Sequence, residues 1–269
     1  MRKTLFSGIA ACLFATAATA AEQSPSVIWT VGQADRSASE FALAPDRFRD
    51  FLANDFGYED KYFLVGHSVP AADFPYVLPG PADTWGGTWP TSGWRTHQVN
   101  ILFGLKEIPS DGTCTLVVDL LDYAKNFLPL VKVSVNTQDA KFQLDAPGLS
   151  VADQRKPNQM EKIVDTLSIT GNLAKATPRR LEIPIRPGVL KAGGNEVTIT
   201  VLEGSWILFD RVSLEGPAGT NVEQPQQLFI RNIEAAPYEL ADGKRRVQPL
   251  LVDLEWLEGA PALSVELDG

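Results

Sequence analysis

Alternation of apolar and polar side chains dominates the chain. In "THQVNILFGLKEI", Val99, Ile101, Phe103 and Leu105 fall on one face of an extended strand. "SVIWTVGQ", "SEFALA", "KYFLVG", "KFQL", "KIVDTLSI" and "RRLEIPI" are shorter segments of the same character, and "CTLVVDLLDY" and "LPLVKVSVN" read as a strand pair. "EVTITVLEG" and "SWILFDRVSLE" close the series. The last of these predicts Trp206, Leu208, Asp210 and Val212 on one face, with Ile207, Phe209 and Arg211 on the other. A helical period is read once in the first half, in "APDRFRDFLAND", where Phe48, Phe51 and Leu52 share a face, and a short helical turn is read at "GVLKAG". Short strands separated by Gly- and Pro-rich connections predict an all-β, antiparallel sandwich.

The ends of the chain follow other rules. Arg2 and Lys3 precede the apolar stretch "TLFSGIAACLFATAATA", which closes on small residues. This is the form of an export signal over residues 1–21, with cleavage near Ala20 or Ala21 and a secreted or periplasmic product. "IAAC" at Ile9 to Cys12 opens a second reading, a lipid-anchored cysteine, although the apolar run continues past Cys12. After Gly216, the polar segment 217–227, "PAGTNVEQPQQ", reads as a linker. Residues 228–269 carry three further strand patterns and end on Asp-Gly. They read as the start of a second β-rich domain that is incomplete here, or as an appendage on the first domain, residues 22–216.

Charge narrows the classes of partner. The formal net charge of −9 becomes −11 once Arg2 and Lys3 are removed with the signal. An acidic chain whose densest basic run is "GKRRVQ" is a poor partner for nucleic acid or anionic lipid, and beyond the anchor reading no membrane partner is expected. The exported part keeps one cysteine, Cys114, within an apolar run, which reads as a small core residue. His67 and His97 are the two histidines, and neither belongs to a metal-ligand spacing or a nucleophile elbow. No catalytic residue is assigned.

Several stretches resemble one family in order along the chain. "IWTVGQADRSASEFALAPD", "YFLVGHSVPAADFPYVLPGPADTW", "HQVNILFGL", "TLVVDLLD" and "LKAGGNEVTITVLEGSWILFDRVSLE" are similar to the carbohydrate-binding-like third domain of rhamnogalacturonan lyases, polysaccharide lyase family 4. The resemblance runs from Val27 to Gly216. It implies a galactose-binding-like jelly roll that serves as an accessory module for enzymes acting on plant cell-wall polysaccharides. Two departures qualify it: those lyases carry a catalytic domain before this module, where here a signal precedes it, and the tail lies outside the match. The first departure argues against lyase activity in this chain.

Three tryptophans, Trp85, Trp89 and Trp94, crowd the Gly-, Pro- and Thr-rich loop "PGPADTWGGTWPTSGW". Flat aromatic rings suit the C–H faces of a sugar, and polar groups around them fix its orientation. Tyr76 adds a ring; Asp73, Asp83, Arg95 and His97 offer bonds to hydroxyls or to a uronate carboxylate. The competing reading makes these rings a packed plug beneath the loop. Asp210 is an odd charge for its strand. The resemblance implies a structural calcium there with Asp35 and Glu40, against a salt bridge to Arg36 or Arg211, and no metal or cofactor is assigned. The leading expectation is a glycan-binding accessory module whose partners are a polysaccharide and a catalytic domain. The alternatives are a lyase or glycosidase in its own right, or a structural domain that packs on a catalytic neighbour.

Overall fold

The computed structural model describes residues 26–87, 97–108, 113–145, 167–259 and 264. Eleven strands build the main body. In chain order they are β1 (Ser26–Gly32), β2 (Tyr62–Leu64), β3 (Val77–Leu78), β4 (Gln98–Leu105), β5 (Thr115–Tyr123), β6 (Leu130–Val135), β7 (Gln138–Gln143), β8 (Arg179–Pro184), β9 (Gly193–Glu203), β10 (Ile207–Gly216) and β11 (Val222–Glu223). The first sheet has the order β1-β10-β5-β8, with β3 beside β10. The second has the order β11-β4-β9-β6-β7, with β2 parallel to β4. From β4 to β10 the chain changes sheet at every connection except β6–β7, which gives an all-β sandwich of jelly-roll character.

The predicted alternation is what closes this sandwich. Val99, Ile101, Phe103 and Leu105 of β4 all point into the core, joined by Val131, Val133 and Val135 of β6 and by Val197, Ile199 and Val201 of β9. Trp29, Val31, Leu116, Val118, Leu120, Val212 and Leu214 face them from the first sheet. Each such side chain contributes about 1.5–3 kcal/mol through burial.

Several sequence expectations need correction. "CTLVVDLLDY" and "LPLVKVSVN" do not pair; β5 lies in the first sheet and β6 in the second. A strand's period fixes its faces but not its neighbour. The expected helix around Phe48 is two 3-10 turns, Phe48–Asp50 and Leu52–Asn54, the second stopped by Asp55 in the left-handed region (φ 57°). "SEFALA" forms only an isolated bridge, Ala42 to Pro75. Of "KIVDTLSI", residues 167–169 belong to a 3-10 turn, Leu167–Thr170, and the preceding ones lie outside the described residues. Two bulges between β5 and β10 break the simple alternation: Leu121 is the extra residue on β5 and Asp210 the extra residue on β10, and Phe209 joins the core.

The tail is not detached from this body. The segment read as a linker contributes β11, which lengthens the second sheet along β4. Beyond it come β12 (Leu228–Ala235), β13 (Leu240–Asp242), β14 (Arg245–Val247) and β15 (Leu250–Trp256). β12 pairs with β15 and β13 with β14, all antiparallel; of the basic "GKRR" run, Gly243 and Lys244 form the β13–β14 turn and Arg245 and Arg246 begin β14. Phe229 of β12 packs on Leu64 and Leu102, on the outer face of the second sheet. Arg231 reaches Glu196 of β9 at 3.0 Å and Glu255 of β15 at 2.9 Å. Gly194 permits the close approach, since a Cβ there would stand 2.2 Å from the Ile230 carbonyl oxygen.

Candidate functional site

The Trp-rich loop leaves the sandwich from a firmly tied base. Gly80 N–H donates to Asp83 Oδ2 at 2.9 Å, and Ser205 Oγ donates to Asp83 Oδ1 at 2.6 Å. Asp83 is thus a buried knot between the loop and the β9–β10 connection. Gly80 is required there: a Cβ would stand 2.5 Å from the Gly204 carbonyl oxygen. The chain then turns through a 3-10 segment, Thr84–Gly86.

The aromatic residues at this end answer the packing question in part. Trp85 is half-buried, edge-on to Phe48 at 5.0 Å and Phe51 at 6.0 Å. Tyr76 is 1% exposed and its hydroxyl donates to the Ile169 carbonyl at 2.7 Å. Burial raises its pKa, so the hydroxyl stays protonated. His97 is buried in a left-handed conformation (φ 49°), and burial lowers its pKa toward the neutral form. Asp73 ends a one-turn helix, Pro70–Asp73, half-buried, with Oδ2 accepting from Val69 N–H. Tyr76 and Asp83, expected at the surface, are therefore turned inward by the apolar residues around them and tie backbone together. Trp89, Trp94 and Arg95 lie outside the described residues.

A second constellation had no signal in the sequence. Asp122, at the end of β5, is fully buried; Oδ1 accepts from Lys125 Nζ at 2.8 Å and from Thr177 N–H at 3.0 Å, and Oδ2 from Ser168 Oγ at 2.6 Å. It fastens the 168–177 segment, and with it the partner of Tyr76, to the first sheet. A third feature is a polar groove of about 420 Å³ between the tail and the outer face of the second sheet. Asn136, Glu196, Thr198, Lys191, Arg231 and Asn232 line it. Arg231 is held by carboxylates, whereas Lys191 Nζ donates to Asn232 Oδ1 at 3.2 Å. Such a groove has the donors to meet hydroxyls and a carboxylate. Lys191, Arg231 and Asn232 were missed because neighbours distant in sequence make the groove.

Asp210 takes neither salt bridge expected for it. Arg211 pairs with Asp119 at 2.9 Å, and Arg36 supplies its backbone N–H, at 3.0 Å, to Asp210 Oδ1. Among the described residues no three His, Cys, Asp or Glu side chains converge as a metal site. Asp35 Oδ1 accepts from Ser37 N–H and Glu40 Oε1 from Gln33 N–H, so these carboxylates serve local turns and do not fit the calcium set. Burial, then the nearby Asp35, Asp119 and Glu40 charges, push the Asp210 pKa up to about 6. A carboxyl raised on folding stabilises at low pH, below the usual carboxylate range, and loses that contribution as pH rises through about 6. Asp210→Asn is therefore expected to stabilise the fold at pH 7 by about 1–2 kcal/mol, less the altered bond to Arg36, with no gain below pH 4. Urea unfolding at both pH values checks this; destabilisation at pH 7 that calcium chelation abolishes would instead mean a bound cation.

Comparison with known proteins places the body of the chain. No curated protein matches it. Among solved structures, a family GH115 4-O-methyl-α-glucuronidase with specificity for decorated arabinogalactans aligns at 17% identity over 44% of this chain and 13% of that chain, with a TM-score of 0.24. The chain thus spans a small part of that enzyme's length. The family described as CBM-like, polysaccharide lyase family 4, domain III, matches residues 27–214, which is the sandwich from β1 to β10. The chain belongs to the CBM-like family of polysaccharide lyase family 4, domain III.

Proposed function

We propose that this protein is an exported carbohydrate-binding accessory module that holds a plant-type, uronate-containing glycan for a polysaccharide-degrading catalytic domain. Membership of the carbohydrate-binding-like family carries the reading. The loop that begins at the Asp83 knot and returns at His97 supplies the chemistry. Trp85 anchors its base on Phe48 and Phe51. Trp89 and Trp94 are the sugar platforms in this reading, and Arg95 the partner of a uronate carboxylate.

Tryptophan fluorescence of the chain, titrated with fragments of rhamnogalacturonan, pectin, xylan and mannan, tests it. Saturable shifts are expected with the acidic glycans. They should be lost in folded Trp89→Ala and Trp94→Ala, while Arg95→Ala weakens the acidic glycans about tenfold more than the neutral ones. Trp85→Ala should lose stability rather than binding. No response to any glycan, or release of cleaved products by the chain alone, would sink the accessory-module reading.

The polar groove beside Lys191 favours a second location for the same function. If the loop variants bind as the parent does and Lys191→Ala does not, the groove is the site.

A further inference from the structure

The β12–β15 hairpin wears its two faces the wrong way round for an element lying on a core. The side toward the second sheet carries the pairs Phe229–Glu255, Asn232–Asp253 and Glu234–Leu251, of which Glu255, Asp253 and Asn232 bind Arg231 and Lys191. The opposite side consists of four cross-strand pairs: Leu228–Trp256, Ile230–Leu254, Ile233–Val252 and Ala235–Leu250. All eight are apolar. Ile230, Ile233, Leu250, Val252 and Trp256 are between 38% and 55% exposed. A surface strand normally alternates polar-out, and a contiguous apolar patch of several hundred Å² marks an interaction surface.

We propose that this outward face is a homodimer interface, covered by the same face of a second copy of the chain. Shape chooses the partner. The pairs taper from Leu228–Trp256 at one end to Ala235–Leu250 at the other. A two-fold axis lying in the interface across the strands sets Trp256 over Leu250 and Leu228 over Ala235, so large side chains meet small ones. An axis along the strands would stack Trp256 on Leu228 and leave a gap at the Ala235 end. Area agrees. The face offers roughly 600 Å², close to the about 800 Å² per partner of a standard interface. No charge lies on the face, while the chain as a whole carries −9, so the bodies repel and salt should tighten the pair.

Sedimentation velocity of the whole chain over a range of concentrations and at two salt levels is the test. A saturating monomer–dimer equilibrium, tighter in high salt, is expected. Ile233→Lys and Trp256→Ser should each weaken it at least 100-fold with unchanged circular dichroism, because both side chains are exposed in the single chain. Val252→Lys repeats the test should either one unfold. A chain that stays monomeric at 100 µM overturns the proposal; so does a dimer that all folded variants keep, or association that grows without saturating. Glycan binding by the loop does not enter any of these outcomes.

Discussion

Asp122→Ala is expected to destabilise the fold by about 3–5 kcal/mol, the usual cost of stripping one partner from a buried ion pair. The carboxylate is fully buried and accepts from Lys125, Thr177 and Ser168. Without it the Lys125 ammonium, itself 8% exposed, keeps the Tyr123 carbonyl at 2.9 Å but loses the carboxylate that holds it at 2.8 Å. The Ser168 hydroxyl and Thr177 N–H lose an acceptor in the same place. The double variant Asp122→Leu, Lys125→Met should recover much of the loss, because apolar groups of similar volume carry no desolvation cost. Urea unfolding at neutral pH measures both; a single-variant loss under 1 kcal/mol would show that water reaches the pair.

Phe74→Ala should cost about 3–5 kcal/mol for a different reason, a cavity that rigid neighbours cannot close. Phe74 is 1% exposed and touches three rings, Phe209 at 5.0 Å, Phe41 at 5.4 Å and Phe63 at 5.9 Å. Phe209 belongs to the first sheet; Phe63, on β2, belongs to the second. The ring therefore links both layers through a loop, and its carbonyl accepts from Ala42 N–H at 2.9 Å. Phe74→Leu, which leaves most of the volume filled, should cost about 1–1.5 kcal/mol. The two midpoints in a urea titration, at unchanged slope, separate cavity formation from a change of fold.

The sandwich was legible where alternation is long. β4 shows this best: Val99, Ile101, Phe103 and Leu105 were placed on the core face and lie there. Leu102, between them, is also buried, because the tail covers the other face through Phe229. That contact joins residues more than 120 positions apart and leaves no local signature. Asp210 was noticed as a misplaced charge, but the bulge that moves it out of the alternation depends on pairing with β5. At the candidate site, residue chemistry was readable and direction was not. Tyr76 has the same side chain whether it meets a sugar or the Ile169 carbonyl, and only packing decides between them.

The extra residue at Arg231 has a genetic consequence. In β12 the pairing passes from Ile230–Leu254 straight to Asn232–Asp253, so Arg231 has no opposite number. It resets the phase of everything after it: Ile233 and Ala235 point outward because one residue has been counted twice. An in-frame loss of that single codon would make the ladder regular, with Ile230–Leu254 followed directly by Asn232–Asp253, so every later residue would keep its face and the Arg231 ion pairs to Glu196 and Glu255 would go. Loss of one residue at this bulge should thus be tolerated far better than the same loss in a strand whose ladder is regular throughout, such as β4.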